Sequence, residues 1–234
     1  MKKVFSSFIA VAMAAVSLSA CAPNEQSEPI TPVITTTAQT YSSDASGQQQ
    51  ESSGSILIAY FTVPETDGVD TVANASRVSA DGQVYGNTEF IAREIQKNVG
   101  GDIFAIETVQ EYPDTHEPLL EFAYNEKSDN ARPELSSKIE NLDDYDIIFV
   151  GYPNWNADLP MPLYTFFDEY DFSGKTIIPF VTHGGSGFSG TISTIKSLEP
   201  NAEVVESGLS VSRNNAAKAA EDVKKWTDAL TADQ

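Results

Sequence analysis

Three segments of the 234-residue sequence combine small polar, glycine and aromatic residues as ligand-binding loops do. The first is broken in two: Thr62 closes an apolar run, and Gly86-Asn87-Thr88 opens an amphipathic stretch. Two hydroxyls, a carboxamide and the free N–H groups of a helix start form a donor set for a phosphate dianion. Asn87 also suits plain helix capping, which needs no ligand. The second is Gly151-Tyr152-Pro153-Asn154-Trp155-Asn156-Ala157-Asp158-Leu159-Pro160. An indole in a polar, proline-framed loop either folds back over the core or meets a flat aromatic ligand, with Asn154 and Asn156 bonding that ligand's polar rim. The third is Thr182-His183-Gly184-Gly185-Ser186-Gly187-Phe188-Ser189-Gly190. Its glycines let a ligand approach the backbone, where successive N–H groups meet the nitrogen-and-carbonyl edge of a heterocycle.

Other chemistries fit these residues less well. Gly185, Gly187 and Gly190 satisfy G-x-G-x-x-G, but that fingerprint belongs in a first strand-to-helix turn and this one is the fourth. Ser186 fails as a hydrolase nucleophile: counting from Gly184, Phe188 stands where a nucleophile elbow has glycine, and both histidines, His116 and His183, precede it. His116 has no evident catalytic partner and reads as a surface residue. No side chain is assigned a catalytic role, and none a metal.

The loops need elements to hold them. Short β-branched and apolar runs predict strands over 56–61, 103–106, 147–150, 176–181 and 204–209, and helical spacing predicts helices over 88–99, 133–139, 162–170, 191–198 and 216–230. Ile91, Ile95 and Val99 recur every fourth residue before Gly100-Gly101, and Ala216, Ala220, Val223, Trp226 and Leu230 make one stripe. Strands alternating with helices mean parallel βαβ units, so the domain is α/β and doubly wound in three layers, with ligands outside the carboxyl ends of the strands. The first strand-to-helix connection, 62–87, and the stretch 107–132 are both long for such a fold. The second, with Tyr112-Pro113, Tyr124 and Arg132-Pro133, is expected to shape a pocket.

The chain start has a different character. A basic Met1-Lys2-Lys3, an apolar stretch over 4–16 and Leu18-Ser19-Ala20-Cys21 have the layout of a secretory signal over 1–20, too short to span a bilayer. The last four residues resemble a bacterial lipobox, and Cys21, the one cysteine, is the expected lipidation site. Residues 21–54, rich in Ser, Thr, Gln and Pro, read as a tether, and 55–232 as the folded domain. The expected location is outside the cytoplasm, anchored at a bacterial membrane by lipid alone, at the cell surface or in the periplasm. The formal charge is −20, or −22 without Lys2 and Lys3, which makes nucleic acid a poor partner and suits either solubility or docking to a basic partner.

Taken together, the run 56–61 with Thr62, the Gly86-Asn87-Thr88 start, the Gly151-Tyr152-Pro153-Asn154-Trp155 loop and the Thr182-His183-Gly184-Gly185-Ser186-Gly187 loop resemble the flavodoxin-like family, over residues 56–230. The resemblance implies a five-stranded parallel sheet of order 2-1-3-4-5 and non-covalent flavin mononucleotide (FMN). Thr62, Asn87 and Thr88 then hold the phosphate, while Pro153, Asn154, Trp155, Asn156 and the loop from Thr182 to Gly187 flank the ring. The phosphate loop departs from the family's short pattern, being split by residues 63–85, which are expected to form either a lid or a partner surface. The implied activity is electron transfer or FMN-dependent reduction of a small-molecule acceptor or redox partner of unknown identity, and a homodimer stays open. A flavin-free interaction module is the competing reading.

Overall fold

Alternation along the central strands divides the apolar side chains between two layers. In β1 (Ile56–Tyr60), Leu57 and Ala59 enter one core while Ile58 and Tyr60 enter the other. The computed structural model describes residues 55–66, 76–80 and 82–232; the expected signal segment 1–20, Cys21 and the tether 21–54 lie outside the described residues. After β1 comes a hairpin of β2 (Arg77–Ala80) and β3 (Gln83–Gly86), then helix α1 (Asn87–Val99), β4 (Asp102–Ala105) and α2 (His116–Ser128). The second half runs β5 (Ile147–Pro153), α3 (Met161–Glu169), β6 (Thr176–His183), α4 (Thr191–Leu198), β7 (Glu203–Val204), β8 (Leu209–Ser212) and α5 (Ala220–Ala232). Short 3₁₀ turns lie at Leu142–Asp144 and Ala216–Lys218.

The main sheet is parallel, in the order β4-β1-β5-β6, with β7 and β8 both paired to the remaining edge of β6. This is the expected 2-1-3-4-5 arrangement with its fifth strand in two pieces, where the sequence suggested one strand over 204–209. Backbone groups of the odd residues of β6 face that edge: Ile177 accepts from the N–H of Val205 and His183 from that of Arg213. Pro179 belongs to the same set and has no N–H to give, so the ladder breaks opposite it. Helices cover both faces. Ile91 and Ile95 of α1 and Val223 of α5 fill one layer, and Leu163, Phe166 and Phe167 of α3 with Ile195 of α4 fill the other.

Two expected elements are corrected. Residues 133–139 form no helix, because Leu135 bridges Thr108 in antiparallel fashion. The N–H of Ser136 then donates to Glu107, and that of Ile139 to the Tyr170 hydroxyl. Conversely, the supposed connection 107–132 contains α2. The expected helix 216–230 begins instead as the 3₁₀ turn and becomes α-helical only at Ala220. No helix of the described residues is long and apolar enough to cross a membrane.

The fold also places an acid where burial works against its charge. Glu199, just after α4, is nearly buried, and that burial, reinforced by Asp171, pushes its carboxyl from 4.5 up to about 7. Between those two values the folded state holds a proton that the unfolded chain has released. Stability is therefore expected to fall as pH rises from 4.5 to 7. Thermal unfolding of Glu199→Gln should lack this part of the slope; an unchanged profile would place its origin elsewhere.

Candidate functional site

Strand register sets the site. Tyr60 pairs with Gly151, Pro153 with Thr182, and His183 with Ser212. The next bonds continue across the carboxyl edge: Phe61 N–H to Gly151 O at 2.9 Å, Asn154 N–H to Thr182 O at 2.8 Å, and Arg213 N–H to His183 O at 2.8 Å. Four strands thus stop in line, and the residues after each of them meet above the sheet.

They enclose a cleft of about 280 Å³. Thr62, Asn87 and Thr88 line one part of it, Pro153, Asn154 and Trp155 another, and Thr182, His183, Gly184 and Ser186 a third. Three expected site residues do not line it, and each is engaged elsewhere. The N–H of Gly185 donates to His183 Nδ1 at 2.9 Å, the carbonyl of Gly187 accepts from Asn154 Nδ2 at 2.7 Å, and that of Asn156 accepts from Lys127 Nζ at 2.8 Å.

Each wall has a local cause. At the helix start, Gly86 is needed for close approach: a Cβ there would lie 2.0 Å from Thr62 Oγ1. Glycine therefore lets the strand end and the helix start share one spot despite the long insert between them. Asn87 N–H donates to Ser76 O at 2.7 Å, and the buried hydroxyls of Thr88 and Thr182 bond at 2.8 Å, tying the first wall to the third.

Trp155 stands at the base of a tight hairpin closed by paired bonds with Asp158. Its central residues, Asn156 and Ala157, have φ of 53° and 59°, the pattern of a type I′ turn. Alanine is strained there, and Lys127 braces the turn by bonding Asn156 O and pairing with Asp158 at 3.2 Å. The indole meets Phe61 edge-on at 5.5 Å and Tyr112 at 5.7 Å, so one part of it packs on the core while another lines the cleft. Asn154 Nδ2 reaches the glycine loop, which leaves Asn154 Oδ1 as a buried acceptor without a partner.

His183 is held neutral. Burial lowers its pKa, and acceptance of the Gly185 N–H at Nδ1 places the ring proton on Nε2, which donates to Ser210 Oγ at 3.0 Å.

Sequence reasoning missed several wall residues. His116 is not a surface residue: it opens α2, lines the cleft, and sets Nδ1 3.0 Å from the buried carboxylate of Glu65. Leu119 and Leu120 follow it along the same wall, and Glu65 and Ser76 come from the two flanks of the split loop. Val63 adds to the wall beside Thr62, and the last is Arg213, the first residue after β8. Strand-end position is the signal that should have found it, but the strand was expected to stop at Leu209.

A sequence profile described as flavodoxin matches residues 77–230. Among solved structures, a candidate flavoprotein from Bacteroides eggerthii is 25% identical, with TM-score 0.55, covering 76% of this chain and 98% of its own. A second, from Bacteroides uniformis, is 26% identical with TM-score 0.52, covering 75% of this chain and 98% of its own. A Lactobacillus acidophilus flavoprotein solved in complex with FMN is 17% identical with TM-score 0.51, covering 74% of this chain and 99% of its own, and shares the fold. A search of curated proteins returns no significant match.

Proposed function

The chain belongs to the flavodoxin family, and from that premise we propose that it binds FMN in this cleft and passes electrons through it to a redox partner or a small-molecule acceptor. The observation that carries the reading is convergence: a hydroxyl and amide cluster at a helix start, an indole, and a glycine loop line one cleft. The residues fit the cofactor. Thr62, Asn87 and Thr88 offer donors to a phosphate, and Trp155 offers an aromatic surface to a ring. Asn154 Oδ1 is a buried acceptor still to be satisfied by a donor on a ligand. When bound, the flavin supplies reversible acceptance of one or two electrons at its ring.

The chain's own residues add three things. Leu119 and Leu120 with Trp155 make one wall apolar. His183, kept neutral, adds no positive charge to the cleft wall. His116 and Glu65, 3.0 Å apart, add a hydrogen-bonded polar pair to the cleft wall. Residues 18–21 support acylation of Cys21, which would put this chemistry at a bacterial membrane.

The test is expression of the whole chain in a bacterium, with membrane and soluble fractions assayed for flavin absorbance. The expected result is a membrane-bound yellow protein that, once stripped, takes up FMN with Kd of about 1 μM or tighter. Cys21→Ser should move it to the soluble fraction with flavin retained. A protein that takes up no FMN would end the flavin reading, and membrane attachment surviving Cys21→Ser would end the lipid-anchor reading.

A further inference from the structure

Among the described residues, the one cation on the cleft wall has no carboxylate partner. Arg93, Lys127, Arg132 and Lys196 each pair with an acid. Arg213 does not: its Nε is buried with no hydrogen-bond partner, and its guanidinium lies 3.5 Å from where a Cβ on Gly184 would stand, so glycine there leaves it room on the cleft wall. Among the described residues it is the only lysine or arginine lining that cleft. A buried guanidinium N–H without an acceptor is costly, and an anion in the cleft would supply one.

The helix start that lines the same cleft needs such help. A phosphate there would meet fewer donors than a free helix N-terminus offers, because Asn87 N–H is spent on Ser76 O and the Thr88 hydroxyl is engaged with Thr182. It would also enter a chain of charge −20 whose cleft already holds the buried carboxylate of Glu65. The 3₁₀ turn Ala216–Lys218, three residues beyond Arg213, packs against α1 and β2, which brings this segment to the same helix. We propose that Arg213 pairs with the phosphate of the bound cofactor and makes the cleft select FMN over riboflavin, its phosphate-free form; this rests on the flavin reading above.

The experiment is titration of the purified, flavin-stripped protein with FMN and with riboflavin at low and high salt, for the natural chain, Arg213→Gln and Arg213→Lys. Expected is a loss of about 10–100-fold in FMN affinity in Arg213→Gln, with riboflavin affinity unchanged. Arg213→Lys, which keeps the charge but not the fork, should fall between, and salt should weaken FMN but not riboflavin binding to the natural chain. Equal losses for both ligands would assign Arg213 to the ring and overturn the proposal, as would no loss for either. Should Arg213→Gln fail to fold, Arg213→Lys and the salt comparison decide. A natural chain that binds neither flavin would sink the flavin reading itself, a different result from binding that ignores Arg213.

Discussion

Replacing Phe166 with alanine is expected to lower the free energy of unfolding by about 3–5 kcal/mol, the cost of emptying a filled aromatic site. The side chain is fully buried, and its ring centroid lies 5.7 Å from Phe167, 5.3 Å from Tyr170 and 5.5 Å from Phe172. These four rings form the floor under α3, with Phe172 itself fully buried, so the cavity has no side chain free to swing in and close it. Against a total stability of about 5–15 kcal/mol for a typical domain, the variant would be marginal. Since α3 directly follows the Trp155 hairpin, loosening it should also blur the cleft. Urea unfolding followed by circular dichroism gives the measurement. Tyr124→Ala serves as its control: that side chain is 61% exposed, so its change should stay within about 0.5 kcal/mol. A shift for Phe166→Ala no larger than the control's would mean that the cluster does not support the fold.

What could be read ahead of the structure depended on whether a residue's role was local. Helix α1 was legible because Ile91 and Ile95 repeat on one face and two glycines stop it; α4 was found to the residue. Helix α2 was not, because its buried face includes Glu126, while Leu120 and Tyr124 on the same helix remain exposed. Glu126 is tolerated inside because the Tyr112 hydroxyl bonds it at 2.9 Å, with Gln110 as a second donor; burial nonetheless raises its pKa. No hydropathy pattern contains that arrangement. Residues 133–139 failed for the opposite reason: Pro133 is a fair helix opener, but a long-range bridge to Thr108 wins over local preference. The site shows the same division. Strand-end position located all three loops from composition alone. Which loop residues face the cleft was decided by hydrogen bonds, so Gly185, Gly187 and Asn156 were placed in the right loops but are engaged there by His183, Asn154 and Lys127. Arg213 escaped because a single proline in β6 splits the neighbouring strand.

The Trp155 side chain carries the sharpest test of whether this cleft is a flavin site or a flavodoxin shell without one. Packing edge-on against Phe61 and Tyr112 makes it partly structural, and lining the cleft makes it available to a ligand, so the two roles must be separated by measurement. Trp155→Ala is expected to weaken FMN binding by about 1–3 kcal/mol, roughly 5–150-fold, from lost stacking area. The same change leaves Phe61 and Tyr112 without their neighbour and should cost stability as well. Trp155→Phe keeps a ring in both places and should recover most of each. The decisive comparison is riboflavin against FMN in Trp155→Ala: a residue that meets the ring weakens both ligands equally, whereas loss at the phosphate end would spare riboflavin. If unfolding free energy falls while neither flavin binds less tightly, Trp155 belongs to the core alone, and the flat-ligand surface of this cleft must be sought in the glycine loop instead.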